Sequence, residues 1–296
     1  MKKHSIRKTP IVDIILKVSN YTILFFLAFI MLYPFWDILV KSFMTDADII
    51  KQGIVIWPKN WQFEGYRTIF EDKVYNFGQA FINSVFITGV DTVYQLAITA
   101  LAAYALTKKT LPGRKFFLVY FMFTMYFGGG MIPYYIVIRE LNLLDSIWVM
   151  IIPSFISIFN VLVMKSFFSE LPEELLDAAR IDGAGDLRTF VSIVLPLSKA
   201  VLATIALFIA VGVWNNWFSP MLYIQTATKR PLAYALQIII EKSRGVNTDN
   251  PGVGQVVIGQ SVQYAAIVVA VFPIMAVYPF LQKHFTKGVL IGSIKG

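Results

Sequence analysis

The chain alternates long apolar segments with short polar ones, a pattern that predicts helices crossing a membrane. A helix needs about 20 consecutive apolar residues to span the hydrocarbon core of a bilayer. Six segments bounded by charges fit this length, around 21–40 and 81–106, between Lys115 and Arg139, between Asp145 and Lys165, between Lys199 and Lys229, and around 262–282. We therefore predict an all-α integral membrane protein with six transmembrane helices. Glycines 128–130 and Pro133 favour a break within the third helix.

One polar stretch, ELPEELLDAARIDGAGDLRTFVSIVLP at 170–196, separates the fourth and fifth apolar segments. Pro172 suits the first turn of a helix, and the acidic residues after it favour the positive end of the helix dipole. Gly183 predicts a left-handed helix end, and Asp186 predicts the N-cap of a second helix. The first of these helices has one apolar face, which carries Leu175, Leu176, Ala178 and Ala179.

Composition supports a membrane protein and excludes several kinds of site. Hydrophobic residues make up 57% of the chain and charged residues 15%, whereas soluble domains have about 25% charged residues. The absence of cysteine excludes disulfides and thiolate chemistry, and with only two histidines no histidine metal centre is expected. The net charge of +8 does not indicate nucleic-acid binding, because the basic residues are spread between the apolar segments.

Lysine and arginine positions predict the orientation of the chain, since loops on the cytoplasmic side of a membrane are enriched in both. This rule places both termini and the stretch 170–196 on the cytoplasmic side. The basic residues assigned to that side include Lys2, Lys3, Arg7, Lys8, Lys108, Lys109, Arg114, Lys115, Arg180, Arg188, Lys199 and Lys283. We expect a cytoplasmic tail at 1–20, a six-helix transmembrane domain at 21–284 that includes the loop 170–196, and a second cytoplasmic tail at 285–296.

The stretch 170–196 has two interpretations. Amphipathic helices that rest on lipid headgroups are common, but they are usually rich in lysine, arginine and bulky apolar anchors. The helix predicted here is instead acidic and rich in alanine. That chemistry favours a groove in a protein partner.

The same stretch resembles the EAA loop of permease subunits in binding-protein-dependent ABC importers. The family pattern is E-A-A, two residues, D-G-A, and then F, I and L-P, and the chain departs from it in having Asp177 for the usual glutamate. The resemblance implies a type I ABC importer permease fold, in which a cytoplasmic coupling helix docks into a cleft of an ATPase subunit. We expect ATPase coupling at Glu174, Asp177, Ala178, Ala179, Asp182, Gly183, Ala184, Phe190 and Pro196.

Other parts of the chain carry a finer resemblance. WNNWFSPMLY at 214–223 and FTKGVLIGSIKG at 285–296 are similar to carbohydrate permeases related to the shorter maltose-permease subunit. YFGGGMIPYYIVIRELNLLDSIWVMIIP at 126–153 is similar to the branch for lipopolysaccharide-type and complex-oligosaccharide permeases. The resemblance implies a second permease subunit as a heterodimer partner, two ATPase subunits and an extracytoplasmic solute-binding protein. It also implies ATPase contacts of the C-terminal tail at Lys287, Gly288, Gly292 and Lys295.

The chemistry of ATP hydrolysis is expected on other polypeptides. The chain has no G-x-x-x-x-G-K-[ST] phosphate loop and no Ser/His/Asp constellation. We therefore expect no catalytic residue, no metal site and no cofactor on this chain. ATP and Mg²⁺ are expected on the partner ATPase subunits.

Polar residues within the apolar segments are candidates for the substrate path, because ionisable side chains in a membrane usually face a cavity or a partner. Asp91 and Gln95 lie one helical turn apart, and they either line the path or form a satisfied helix contact. The cluster at 214–217 suits the apolar faces and hydroxyls of a sugar, but it also suits an aromatic belt at the membrane surface. The candidates are Asn83, Asp91, Gln95, Tyr120, Trp214, Asn215, Asn216 and Trp217.

The function that we expect is that of a permease subunit in an ATP-driven carbohydrate importer of the cytoplasmic membrane. One alternative is an ABC permease for another solute, such as phosphate, a peptide or a metal oxyanion. Another is a gradient-driven secondary carrier or channel, although such proteins usually have internal repeats and no repeat is visible in this sequence. A membrane enzyme is a third, and the chain lacks residues for its chemistry.

Overall fold

The computed structural model describes residues 10–53, 55–71, 76–243 and 259–292, with side chains from Val12 to Val277. All regular structure within these ranges is helical. The helices are α1 (Pro10–Lys41), α2 (Asp46–Gln52), α3 (Glu64–Glu71), α4 (Phe77–Thr107), α5 (Arg114–Tyr126), α6 (Met131–Glu140), α7 (Ile158–Ser169), α8 (Glu173–Ile181), α9 (Asp186–Thr189), α10 (Leu195–Leu197), α11 (Lys199–Trp214), α12 (Phe218–Tyr223), α13 (Leu232–Ser243) and α14 (Gln260–Gly292). Short 3₁₀ turns occur at Ile147–Met150 and Ala227–Lys229, and a π turn at Phe190–Val194.

Five of the six predicted apolar segments contain helices that suit a membrane. Three helical stretches, Val12–Lys41, Phe77–Thr107 and Gln260–Val277, are each long and apolar enough to cross a bilayer. Two bent pairs could each form one further span, α5 with α6 at a bend of 111° and Asp186–Leu197 with α11 at a bend of 84°. The break predicted at glycines 128–130 is present, because α5 ends at Tyr126 and α6 begins at Met131.

The segment between Asp145 and Lys165 differs from the single helix that we expected. It begins with the 3₁₀ turn, continues without regular structure to Ser157, and ends in the 12-residue helix α7. Pro153 lies in the irregular part, where its missing N–H cannot support a helix. The described residues thus contain up to five spans, and the predicted count of six is not confirmed.

The chain forms two compact units, the first comprising Met1–Thr68 and Lys242–Val268 and the second Ile69–Glu241 and Val269–Gly296. The single permease domain expected at 21–284 therefore stays a prediction. In the first unit a small core contains Val40, Met44, Ile49 and Val55. Most apolar side chains of α1 are exposed, including Phe25 and Phe29. Such a continuous apolar surface requires lipid or a partner protein to cover it.

The second unit is built around α4, which packs against α7 and α11. The main core cluster joins these three helices to the π turn, through Ala103, Met164, Phe168, Phe190 and Ile205 among others. A second cluster gathers Ile87 of α4, Ile138 of α6 and Tyr223 of α12. The two clusters lie toward opposite ends of α4, so this helix is packed along most of its length.

Candidate functional site

The predicted coupling helix is present as α8, Glu173–Ile181. Pro172 precedes it, and Glu173 and Glu174 occupy its first turn, where the helix dipole favours acidic side chains. Past its end, the amide of Gly183 donates to the carbonyl of Arg180 at 3.0 Å, and the amide of Ala184 donates to that of Ala179 at 2.9 Å. These two bonds form a Schellman motif. Gly183 has a φ of +76°, as the motif requires and as the sequence predicts.

The apolar residues of α8 do not share one face, contrary to our expectation. Ala179 is buried, and Leu176 packs against the main core cluster. Ala178 and Leu175 are exposed instead. Because successive helical residues are about 100° apart, the face opposite the core carries Glu174, Asp177, Ala178 and Ile181. Of these, Ile181 is 86% exposed, which is unusual for an isoleucine that covers nothing.

The residue predicted to cap the second helix of this stretch has a different role. Gly185 is the N-cap of α9, and Asp186 is the first residue of that helix. The carboxylate of Asp186 instead contacts the ammonium of Lys108 at 2.7 Å. Phe190, another predicted coupling residue, is buried against Tyr104 of α4, with ring centroids 5.0 Å apart. Pro196 is exposed in α10, close to the bend before α11.

Asp91 and Gln95 lie within the core of the second unit. Asp91 is fully buried, and its Oδ2 accepts a hydrogen bond from Gln95 Nε2 at 2.9 Å. The hydroxyl of Ser154 lies 2.9 Å from Oδ1 of Asp91 and donates to it or to one of the carbonyls of Met150 and Ile151. Of the two alternatives left open by the sequence, this geometry is that of a satisfied contact. The irregular backbone around Ser154 is only partly buried, and the hydroxyl of this residue joins it to α4.

The remaining path candidates fall into two groups. Trp214 donates to the carbonyl of Ala270 at 3.0 Å, and Asn216 bonds the hydroxyl and amide of Ser219 at 3.1 Å each. Their polar groups therefore hold local structure. The exposed candidates are Tyr120, Asn215 and Trp217, and the amide of Asn215 donates to the carbonyl of Val211.

A polar latch that the sequence analysis missed holds the segment 225–231 at the Phe77 end of α4. Asp145 accepts hydrogen bonds from the amides of Gln225 and Thr226 and from the hydroxyl of Thr226, and it pairs with Lys229 at 3.2 Å. Asn83 donates to the carbonyls of Thr228 and Arg230, at 2.8 and 3.1 Å. Asn83 thus serves the latch. The sequence LLDS at 143–146 contains a signal for a turn, because aspartate tolerates a left-handed backbone conformation. Asp145 has such a conformation, with a φ of 52°.

We expect Asp145→Ala to open this latch. The substitution removes a carboxylate that accepts four hydrogen bonds, three from Gln225 and Thr226 and one from Lys229. Hydrogen bonds to a charged group contribute about 1.5–3 kcal/mol each. Hydrogen exchange of the amides of Gln225 and Thr226 should therefore speed up by about tenfold or more. Glu140→Ala is the matched control, because Glu140 makes an exposed pair with Arg139 and should leave this exchange unchanged. Equal exchange in the two variants would contradict the latch.

The latch should also persist into mildly acidic conditions. The hydroxyl and amide of Thr226, with Lys229, hold the pKa of Asp145 well below its usual value. A depressed pKa stabilises the folded state above the unfolded pKa, near 4 for aspartate, and that contribution is lost as the pH falls through the folded pKa. Protection of the Thr226 amide, corrected for intrinsic exchange, should therefore be unchanged between pH 7 and about pH 5. A loss of protection within that range would contradict the assignment.

The expectations for the C-terminal tail and for a metal site concern residues that the structure describes only in part. Lys287, Gly288 and Gly292 lie in the last part of α14, whose side chains are outside the described set, and Lys295 lies outside the described residues altogether. Among the residues that the structure does describe, no group of three or more histidine, aspartate and glutamate side chains could hold a metal ion.

Comparison with known proteins shows that this chain is similar to subunits of bacterial transport systems. Protein LplC of Bacillus subtilis (strain 168) is 43% identical over 268 residues, 90% of either chain. The polygalacturonan/rhamnogalacturonan transport system permease protein YtcP of the same organism is 39% identical, over 93% of this chain and 96% of its own. A crystal structure of a bacterial ABC transporter involved in import of the acidic polysaccharide alginate contains a chain with a TM-score of 0.81 and 31% identity. That match covers 94% of this chain and 99% of the other.

A family model agrees with these relatives. It is described as the binding-protein-dependent transport system inner membrane component, and it matches residues 7–291. The chain belongs to this family of transport components of the inner membrane.

Proposed function

We propose that this chain is a transmembrane permease subunit of an ATP-driven oligosaccharide importer. The observation that supports the proposal most directly is the division of α8 into a face packed on the core and a face that is exposed. Ala179 and Leu176 hold this short helix against the core, while Glu174, Ala178 and Ile181 face outward. A helix fixed on one side and presenting a mixed acidic and apolar stripe on the other is suited to a protein groove. Family membership supports the same conclusion.

In this proposal the outward stripe of α8 docks on an ATPase subunit at the cytoplasmic face. Asp182, Gly183 and Ala184 form the turn that sets the direction of the chain after α8, and Phe190 and Pro196 connect that turn to α11. Both termini lie in the cytoplasm, and the tail with Lys287, Gly288, Gly292 and Lys295 makes a second ATPase contact. A second permease subunit completes the path, and an extracytoplasmic binding protein delivers the solute.

The proposed substrate is a saccharide. YtcP is named for polygalacturonan and rhamnogalacturonan, and the related crystal structure is of an alginate importer. Exposed aromatic and amide groups suit the apolar faces and hydroxyls of sugar rings. We place Tyr120, Asn215 and Trp217 along the path, with Trp214 and Asn216 shaping it and with Asp91, Gln95 and Asn83 supporting the helices around it.

The test is purification of the chain with its co-expressed partner subunits and reconstitution into vesicles with the binding protein. ATP hydrolysis and uptake are measured with oligogalacturonates, alginate oligosaccharides, maltodextrins, a phosphate ester and a peptide. The proposal expects a saccharide to raise ATP hydrolysis and to accumulate. Stimulation by a non-sugar alone would assign a different substrate. Uptake that an uncoupler stops while ATP remains high would indicate a secondary carrier.

A further inference from the structure

Lys108, the first residue after α4, lies in a largely enclosed position. Its side chain is only 16% exposed, and its ammonium is 2.7 Å from the carboxylate of Asp186. The same ammonium lies 4.5 Å from the ring centroid of Tyr104, within range of a cation–π contact. Burial disfavours the charged form, but the contact with the Asp186 carboxylate outweighs it and raises the pKa of Lys108 above its usual value. Lys108 is therefore a fixed cation.

A second contact joins the same two parts of the chain. Tyr104 and Phe190 are 7% and 5% exposed, and their rings are inclined by 33° with centroids 5.0 Å apart. Both rings belong to the main core cluster. The Thr107 end of α4 thus holds the segment after α8 at two adjacent points, one ionic and one aromatic. Pulling the segment away would leave a mostly buried ammonium unpaired, which is costly.

A neighbouring ion pair provides a contrast. Lys109 contacts Glu173 of α8 at 3.4 Å, but the two side chains are 83% and 80% exposed. Exposed pairs of this kind are screened by water and salt and contribute little. Two consecutive lysines therefore reach the same polar stretch, and only Lys108 is in a position to transmit force.

We propose that Lys108 and Asp186, supported by Tyr104 and Phe190, form the joint through which movement of α8 reaches α4. The proposal rests on the proposed function, in which an ATPase moves α8. α4 is a single helix of 31 residues, about 46 Å long. Its other end holds the segment 225–231 through Asn83. Lys108 and Asp186 are positioning residues, and they touch neither ATP nor substrate.

The experiment uses the complete reconstituted importer and measures uptake per ATP hydrolysed. Lys108→Asp and Asp186→Lys should each lower this ratio by about tenfold, the order of a typical coupling between sites. The double exchange Lys108→Asp with Asp186→Lys restores the opposite charges and should recover most of the ratio. Lys109→Asp, the same charge change one residue away, should leave it unchanged. Normal ratios in both single variants would overturn the joint while leaving the proposed function intact.

A crosslinking variant keeps the test valid where a single charge change prevents folding. The chain has no native cysteine, so Lys108→Cys with Asp186→Cys creates one defined pair. Uptake per ATP hydrolysed should be low before crosslinking and should rise when a short bifunctional thiol reagent joins the pair. A crosslink that abolishes uptake would mean that the two residues must separate, and would overturn the joint. Absence of ATP-driven uptake by the unmodified complex would instead overturn the proposed function and the joint with it.

Discussion

Replacing Gly183 by valine is expected to lower uptake by about tenfold or more while ATP hydrolysis by the assembled complex continues. Gly183 has a φ of +76°, which a β-branched residue adopts only with strain of about 1–3 kcal/mol. An added Cβ would meet no atom within 4 Å, so lack of space is not the cause. The strain opens the Schellman motif after α8 and changes the direction in which the chain leaves it. The ratio of uptake to ATP hydrolysis in reconstituted vesicles measures the effect.

Gly185→Val is the matched control. Gly185 lies two residues further along the same turn, has a φ of −69°, and also has no atom within 4 Å of an added Cβ. A valine there adds the same bulk without placing a side chain in the left-handed region. Normal coupling in the Gly185 variant and loss in the Gly183 variant would identify backbone conformation as the cause. Normal uptake by the Gly183 variant would count against a role of this turn in coupling.

The second large effect is expected from Ala178→Trp, which should prevent the ATPase subunits from binding. Ala178 is exposed on the side of α8 that faces away from the core. Because Ala178 is exposed, we expect a large ring there to leave the fold of this chain intact. The ring should keep α8 out of an ATPase groove that fits the methyl group of alanine. Loss of a central contact typically costs 2 kcal/mol or more, so affinity should fall by about 30-fold. Co-purification of the ATPase subunits with this chain, titrated with added ATPase, measures the change.

Ser169→Trp provides the comparison for this substitution. Ser169 is an exposed residue at the end of α7, immediately before the polar stretch, and its hydroxyl donates to the carbonyl of Lys165. The same ring added at this position should leave ATPase binding unchanged. Equal binding by both variants would show that the outward stripe of α8 is not the docking surface.

Local features of this protein were predictable from sequence because their causes are local. α1, α4 and α14 each follow from one long, predominantly apolar run, and the end of α8 follows from Gly183. The segment before α7 was not predicted, although Pro153 was visible. Its irregular backbone depends on Ser154, which bonds Asp91 of α4, and a contact between distant residues leaves no periodic signal.

The candidate site shows the same division. The position of α8 and its first turn were predictable. Which of its alanines is buried was not predictable, because that depends on how α8 packs against the core. Aspartate is a residue type that often caps helices, but in the folded chain the carboxylate of Asp186 pairs with the ammonium of Lys108. Similarly, Asn83 and Asp145 form hydrogen bonds in the latch with backbone groups that are distant in the sequence.

The central claim is that α8 faces the cytoplasm and is covered there by an ATPase subunit. Ile181→Cys tests it, because this position is 86% exposed and the chain has no other cysteine. The measurement is labelling by a membrane-impermeant maleimide in intact cells and in inverted vesicles, with and without the ATPase subunits. We expect labelling only in inverted vesicles, and its loss when the ATPase is bound. Labelling in intact cells would contradict the account.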